Sequence, residues 1–158
     1  MARGAGQPEF SLFEGESVRG QQAMLAGLCT RIFDSFDPDY LARRLPGLID
    51  PVLHVAHGDG GAALGFKIGY RRGPNLLYSW LGGVVPEARG QGIAARLMQA
   101  QHDWAAVQGY HNVETRTRAT NNRMIIVNLT AGFHIAGVES DDAGHLVVIQ
   151  RRRLNTLP

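Results

Sequence analysis

Hydrophobic and polar positions change period several times along the chain, and each change predicts an element. Between residues 17 and 33, Val18, Leu25, Leu28 and Ile32 are separated by seven, three and four residues, which predicts a helix. Asp37-Pro38 supplies a cap followed by proline at the first helical position, so a second short helix is expected over Asp39–Leu45, stopped by Pro46-Gly47. From residue 51 the period falls to two. Val52–Ala56 reads as a short strand and His57–Gly61 as a turn, and Leu64, Phe66, Ile68 and Tyr70 then alternate with Gly65, Lys67 and Gly69. Arg71–Asn75 turns the chain into a third strand, Leu76–Val85, so three strands in antiparallel series are expected.

The helical period returns at Ile93, Leu97, Ala100, Trp104 and Val107, a stripe expected to be buried, and Gly109 ends it. Val113, Thr115 and Thr117 alternate with charged residues and predict a strand, which a right-handed crossover would set parallel to the strand before the helix. Asn121 or Asn122 then caps a helix to about Ala131, with Met124, Val127 and Leu129 expected inward. Gly132-Phe133 stops it, and Ile135–Glu139 and Leu146–Arg151 close the chain as two strands around Ser140–Gly144. Residues 1–11 have little periodicity and read as a loose lead-in.

Composition narrows this picture only a little. A length of 158 residues suits a single domain over 1–158, and 44% apolar with 19% charged residues is ordinary for a globular protein. A formal charge of +2 carries no signal for nucleic acid, and Arg151-Arg152-Arg153 reads as a solvated strand end. The single cysteine, Cys29, lies in an apolar run, so a packed thiol in a reducing compartment is expected and the cytoplasm is the default location. No membrane partner is expected, because no run approaches the roughly 18 apolar residues of a membrane span.

The chemistry is concentrated in Trp80–Met98. An apolar strand reaches Pro86, a turn carries Arg89-Gly90-Gln91-Gly92-Ile93-Ala94, and a helix opens directly behind it. The N–H groups of a first helical turn have no intrahelical acceptor and the helix dipole adds positive potential, so this arrangement reads as a diphosphate cradle. A Rossmann-type site is disfavoured, since G-x-G-x-x-G is missing and an antiparallel meander precedes the loop.

Three local features are similar to the GNAT superfamily of acetyl-CoA-dependent N-acetyltransferases. They are Val84-Val85-Pro86 followed by Arg89-Gly90-Gln91-Gly92-Ile93-Ala94, the run from Asn122 through Asn128 to Gly132-Phe133, and Leu64-Gly65-Phe66 in the meander. The resemblance spans about residues 52–150 and implies an α+β fold, a mixed, mostly antiparallel twisted sheet flanked by helices. It also implies roles. Val84, Val85 and Pro86 would line the pantetheine arm of acetyl-CoA, beside a strand distortion for which Gly82-Gly83 is the expected place. Amides from Arg89, Gly90, Gln91, Gly92, Ile93, Ala94, Ala95, Arg96 and Leu97 would hold the diphosphate, Asn122 would contact the cofactor, and Asn128 would lie near the thiol end.

Transfer of acetyl from a thioester to an amine by direct attack needs no enzyme nucleophile, only deprotonation of the amine and support for the departing thiolate. Many relatives carry a Tyr four residues before the Gly-Phe; here that position is Asn128, which can hydrogen-bond but not protonate sulfur, and Asn128→Ala is expected to weaken turnover modestly. Tyr78 and Ser79 are the candidate hydroxyls for protonation. Glu114 is the first candidate base, ahead of His111 and water, while Glu87 is expected to cap the cradle helix. Arg96 and Arg123 are candidates for pairing with phosphates. No metal site is expected: His54 and His57 point to opposite faces of a strand, and Asp141, Asp142 and His145 cluster at a hairpin turn. The acceptor, a small-molecule or protein amine, is not readable, although Phe33, Phe36, Tyr40, Tyr70, Tyr78 and Trp80 would suit a small apolar or aromatic one. A homodimer is an open expectation. The alternative function is a GNAT-fold sensor or partner module that keeps acyl-CoA and has lost catalysis.

Overall fold

The computed structural model describes residues 6–155. Seven strands form one sheet: β1 (Glu9–Glu14), β2 (Val52–His57), β3 (Ala63–Gly73), β4 (Leu76–Val84), β5 (Asn112–Arg118), β6 (His134–Ser140) and β7 (Leu146–Arg153). Their spatial order is β1-β2-β3-β4-β5-β7-β6, and only β4 and β5 run parallel. Five helices flank them: α1 (Glu16–Arg19), α2 (Gln22–Ile32), α3 (Pro38–Arg44), α4 (Ile93–Val107) and α5 (Asn122–Thr130). The α+β class, the meander, the crossover through α4 and the closing hairpin all stand as expected.

Several local expectations do not. Residues 9–14 are not a loose lead-in, since β1 pairs antiparallel with β2 from Glu9↔His57 to Glu14↔Val52; residues 1–5 lie outside the described residues. An edge strand is held through its partner's backbone, so its own side-chain pattern announces it poorly. The helix expected over 17–33 is divided at Gly20-Gln21 into α1 and α2. On α4 the buried face is Ile93, Leu97, Gln101, His102 and Ala105, while Val107 is 68% exposed. On α5 the deeply buried residue is Asn128, and Val127 and Leu129 face solvent. A stripe built from apolar letters alone drifts off the true inward face wherever polar side chains occupy it.

The sheet's two faces are set by β3 and β4. A Cβ added to Gly83 would stand 2.5 Å from Ile32 of α2, whereas one added to Gly65 would stand 3.3 Å from Leu97 of α4 and 2.9 Å from the Gly83 carbonyl. Glycine at these two positions lets a helix approach each face closely. Phe66 and Ile68 join Leu25, Leu28, Leu41 and Leu45 in the larger core cluster, and Leu77, Val113, Tyr110 and Phe133 form a smaller one.

Beneath α4 the packing includes polar groups. His54 and His102 are 5% and 2% exposed, and Nδ1 of His102 accepts from Arg152 Nη1 at 2.6 Å. Arg151 and Arg153 are exposed, as a solvated strand end would be, but Arg151 also pairs with Glu114, and the half-buried Arg152 donates to His102. Burial holds His54 down at about 4, and burial together with the adjacent Arg152 holds His102 down at about 3. The unfolded chain protonates each near pH 6.5, above the folded values, so both favour folding above that pH and lose the contribution as pH falls toward 4. At pH 5 about 2 kcal/mol of stability per histidine is expected to be gone. Thermal melts at pH 7.5 and pH 5 measure this, and equal midpoints would mean that the folded protein accepts charged imidazoles.

Candidate active site at the β4–β5 cleft

β4 ends at Val84, and Pro86–Ala88 forms one 3-10 turn before the loop. Arg89 Nε donates back to the Val84 carbonyl at 3.0 Å, and Glu87 pairs with Arg31 of α2 rather than capping α4. Gly90 and Gly92 then take φ values of 78° and 79°, the left-handed region that favours glycine. No side chain caps α4 and its first turn holds no acidic residue. The N–H groups of Ile93, Ala94 and Ala95 consequently point out of the helix end without an intrahelical acceptor. The cradle stops there. The Arg96 N–H closes the first turn on the Gly92 carbonyl at 3.1 Å, its guanidinium lies 4.5 Å over the Phe10 ring, and Leu97 is buried in the core.

The cleft begins a few residues earlier. β4 and β5 are paired only at Leu76–Tyr78 against Asn112–Glu114, and Thr115 Oγ1 then donates to the Ser79 carbonyl at 3.2 Å. The β3–β4 register next jumps from Gly69↔Ser79 to Ile68↔Leu81, so Trp80 is an extra, bulged residue. The distortion therefore sits at Trp80 and not at Gly82-Gly83, which pair regularly with Lys67 and Phe66. Glycine at 83 answers instead to the close approach of Ile32. Beyond Trp80, Leu81–Val84 has β3 on one side and no strand on the other, leaving backbone polar groups open along an edge that leads to the cradle.

Over the start of this split lies a cavity of about 340 Å³ with an aromatic wall made by Tyr40, Tyr70, Tyr78 and Trp80. Arg44, Arg72 and Arg116 line it as well. Tyr70 meets Tyr78 and Trp80 edge-on at 5.4 and 6.3 Å between ring centres. Phe33 and Phe36, the other two aromatics expected at an opening, pack on each other at 6.0 Å. Tyr78 is 9% exposed; burial pushes its hydroxyl above the ordinary tyrosine value, with Arg116 and Arg72 pulling the other way. It therefore keeps its proton at neutral pH.

Glu114 and Asn128 come to rest in other work. Glu114 is 3% exposed, with Oε1 accepting from Arg151 Nε at 2.9 Å and Oε2 lying 3.6 Å from Arg72 Nη1. Both of its oxygens are committed, so it acts as a buried counter-ion that positions Arg72. Glu114→Gln is expected to cost about 1–2 kcal/mol of stability, since both guanidiniums can still reach water, and to leave the shape of the pH–rate curve unchanged. Loss of the acidic limb of that curve would return Glu114 to the role of base. Asn128 is 1% exposed; its Nδ2 donates to Gln150 Oε1 at 2.9 Å, and Gln150 Nε2 donates to the Ile125 carbonyl at 3.2 Å, tying α5 to β7. Asn128→Ala leaves the Gln150 oxygen unpaired, and a loss of about 1–3 kcal/mol in thermal stability is expected. A turnover defect at full stability would instead put the amide beside the sulfur. Asn122 is exposed at the first turn of α5, where Asn121 is the cap, accepting from the Met124 N–H at 3.2 Å.

Two features that sequence reasoning left aside also belong here: the Thr115 hydroxyl, which closes the root of the cleft, and the three cavity arginines, which lie on three separate elements. The Cys29 thiol is pushed up to about 11 by burial and takes no part. Asp141 serves its hairpin, accepting from the N–H groups of Ala143 and His145 at 3.0 and 2.8 Å.

Among solved structures the chain is similar to the ribosomal-protein-S18-alanine N-acetyltransferase of Escherichia coli, with 14% identity, 95% of this chain and 97% of that one covered, and a TM-score of 0.74. It is also similar to the spermidine/spermine N-acetyltransferase SpeG of Vibrio cholerae, with 14% identity, 92% of each chain covered and a TM-score of 0.69. A third is a protein of Bacillus anthracis str. Ames described as a streptothricin acetyltransferase and solved with acetyl coenzyme A, with 16% identity, 66% and 63% covered and a TM-score of 0.60. At these identities the likeness is one of fold. No curated protein sequence matches the chain. The model of the Acetyltransferase (GNAT) family matches residues 27–133, from within α2 through the end of α5, and the chain belongs to that family.

Proposed function

We propose that this chain moves the acetyl group of acetyl-CoA onto a primary amine by direct attack in a ternary complex. The observation that carries the reading is the continuity of the β4 edge left open beyond Trp80 with the uncapped N-terminus of α4. An elongated molecule ending in a diphosphate matches that path, with its arm along Val84, Val85 and Pro86 and its phosphates against the amides of 89–95. Asn122 is exposed at the start of α5.

In the reaction the amine nitrogen bonds to the thioester carbon, the carbon–sulfur bond breaks, and the thiol leaves with one proton while the nitrogen gives one up. The cavity supplies no carboxylate among its lining residues. Three guanidiniums there disfavour an ammonium and so favour the free amine, whose proton passes to water. Tyr78, protonated and placed where the strands part, donates to the leaving sulfur and is reprotonated from water or from the attacking nitrogen. Thr115 holds the two strand segments in register beside it.

Titration with acetyl-CoA followed by thiol release in the presence of an amine panel tests the reading. Micromolar binding with amine-dependent thiol release is the expected result. The second reading, a module that binds acyl-CoA without turnover, draws on the commitment of both Glu114 and Asn128 to structural contacts. Binding with no thiol release on any amine would select it.

A further inference from the structure

We infer that the acceptor carries a carboxylate beside its amine, and that Arg44 is the residue that reads the carboxylate; the inference deepens the acetyl-transfer reading and rests on it. Arg72 has Glu114 and Arg116 has Glu139 as acidic partners, but Arg44 has no carboxylate partner among the described residues. Its guanidinium is nonetheless fixed. Nη1 and Nη2 donate to the Tyr40 and Tyr70 hydroxyls at 3.3 and 3.1 Å, and the group lies 5.0 Å from the Trp80 ring centre. The positive charge is thus held by rings and hydroxyls that orient it without neutralising it.

One further group has bonding capacity left over. The Tyr40 oxygen already accepts from Arg44 and from Trp80 Nε1 at 3.2 Å, which leaves its own proton to be donated. The cavity therefore offers surplus donors, net positive charge and a flat aromatic wall. A carboxylate on the amine matches the donors and the positive charge, which repel a polyamine, and an apolar or aromatic side chain on the same molecule matches the wall. At about 340 Å³ the space is at the small end of ligand cavities, the size of a single amino acid rather than of a peptide.

The test compares each standard L-amino acid with its decarboxylated amine, such as phenylalanine with phenethylamine and tryptophan with tryptamine, by thiol release from acetyl-CoA. Calorimetry on the corresponding acetylated products, N-acetylphenylalanine against N-acetylphenethylamine, runs alongside and requires no turnover. At least one amino acid is expected to exceed its amine roughly 10–100-fold in kcat/KM, with the acetylated acid binding tighter in similar proportion. Arg44→Met should erase the ratio and Arg44→Lys keep part of it. The wild-type comparison decides the matter alone if the variants do not fold. Decarboxylated amines turned over as well as the acids, or better, would overturn the inference and leave acetyl transfer standing. A calorimetric preference for acids without any thiol release would uphold the anion-binding pocket and overturn acetyl transfer. No binding preference and no acid turnover would reject the pocket assignment.

Discussion

Ala94→Asp combined with Ala95→Glu is expected to remove acetyl-CoA binding while leaving the thermal midpoint unchanged or slightly raised. Both alanines are exposed in the first turn of α4, where no side chain caps the helix and no acidic residue is present. For the helix alone, carboxylates there are favourable by about 0.3–1 kcal/mol each, because they answer the dipole and the orphan N–H groups. For a diphosphate on the same amides they are repulsive. A pair of like charges about 5 Å apart at an effective dielectric near 20 costs about 3 kcal/mol, or roughly 100-fold in affinity, before competition for the N–H groups is counted. Calorimetric titration with CoA and a thermal melt of the same sample read the two effects separately. Undiminished affinity would move the phosphates away from α4.

Tyr78→Phe is expected to lower kcat by about 100-fold or more, within the range for loss of a general acid, with little change in the affinity for acetyl-CoA. The hydroxyl stands where β4 and β5 separate, and its titration above the ordinary tyrosine range keeps it protonated through neutral pH. Packing should survive the change, since the Tyr70 edge contact and the Arg72 contact 4.4 Å over the ring both involve the ring and not the oxygen. The wild-type rate should fall only at strongly alkaline pH, and the variant should lose that limb. A variant as fast as wild type would assign protonation of sulfur to water and withdraw Tyr78 from the chemistry.

These two residue sets differ in how far they could be read from the chain. The cradle is a local object. Glycine where φ is positive, an apolar strand before it and a helical stripe after it are all encoded within Trp80–Met98, and the structure keeps them in that order. Its limit at Ala95 was not legible, because it depends on which N–H groups the helix consumes. The place of the bulge is hidden from the sequence for a related reason. Gly82-Gly83 has the residue type that tolerates distortion, but close packing against Ile32 already accounts for glycine at 83, and the register breaks at Trp80.

Glu114 and Asn128 show the other side of that limit. A strand carboxylate and a helix amide near a cleft have the right functional groups for catalysis, yet their partners come from β3, β7 and a second amide on β7. Arg72, Arg151 and Gln150 lie 42, 37 and 22 residues away in the chain, and nothing in local periodicity reports such pairings. The sequence by itself determined the order of elements from β2 to β7 and the strand, glycine loop and helix start of Trp80–Met98, because backbone conformation and burial leave periodic traces along a chain. Only the tertiary structure decided that three arginines from α3, β3 and β5 share one cavity and that the candidate base is already paired. Charge compensation is a property of through-space neighbours, and these lie far apart along the chain.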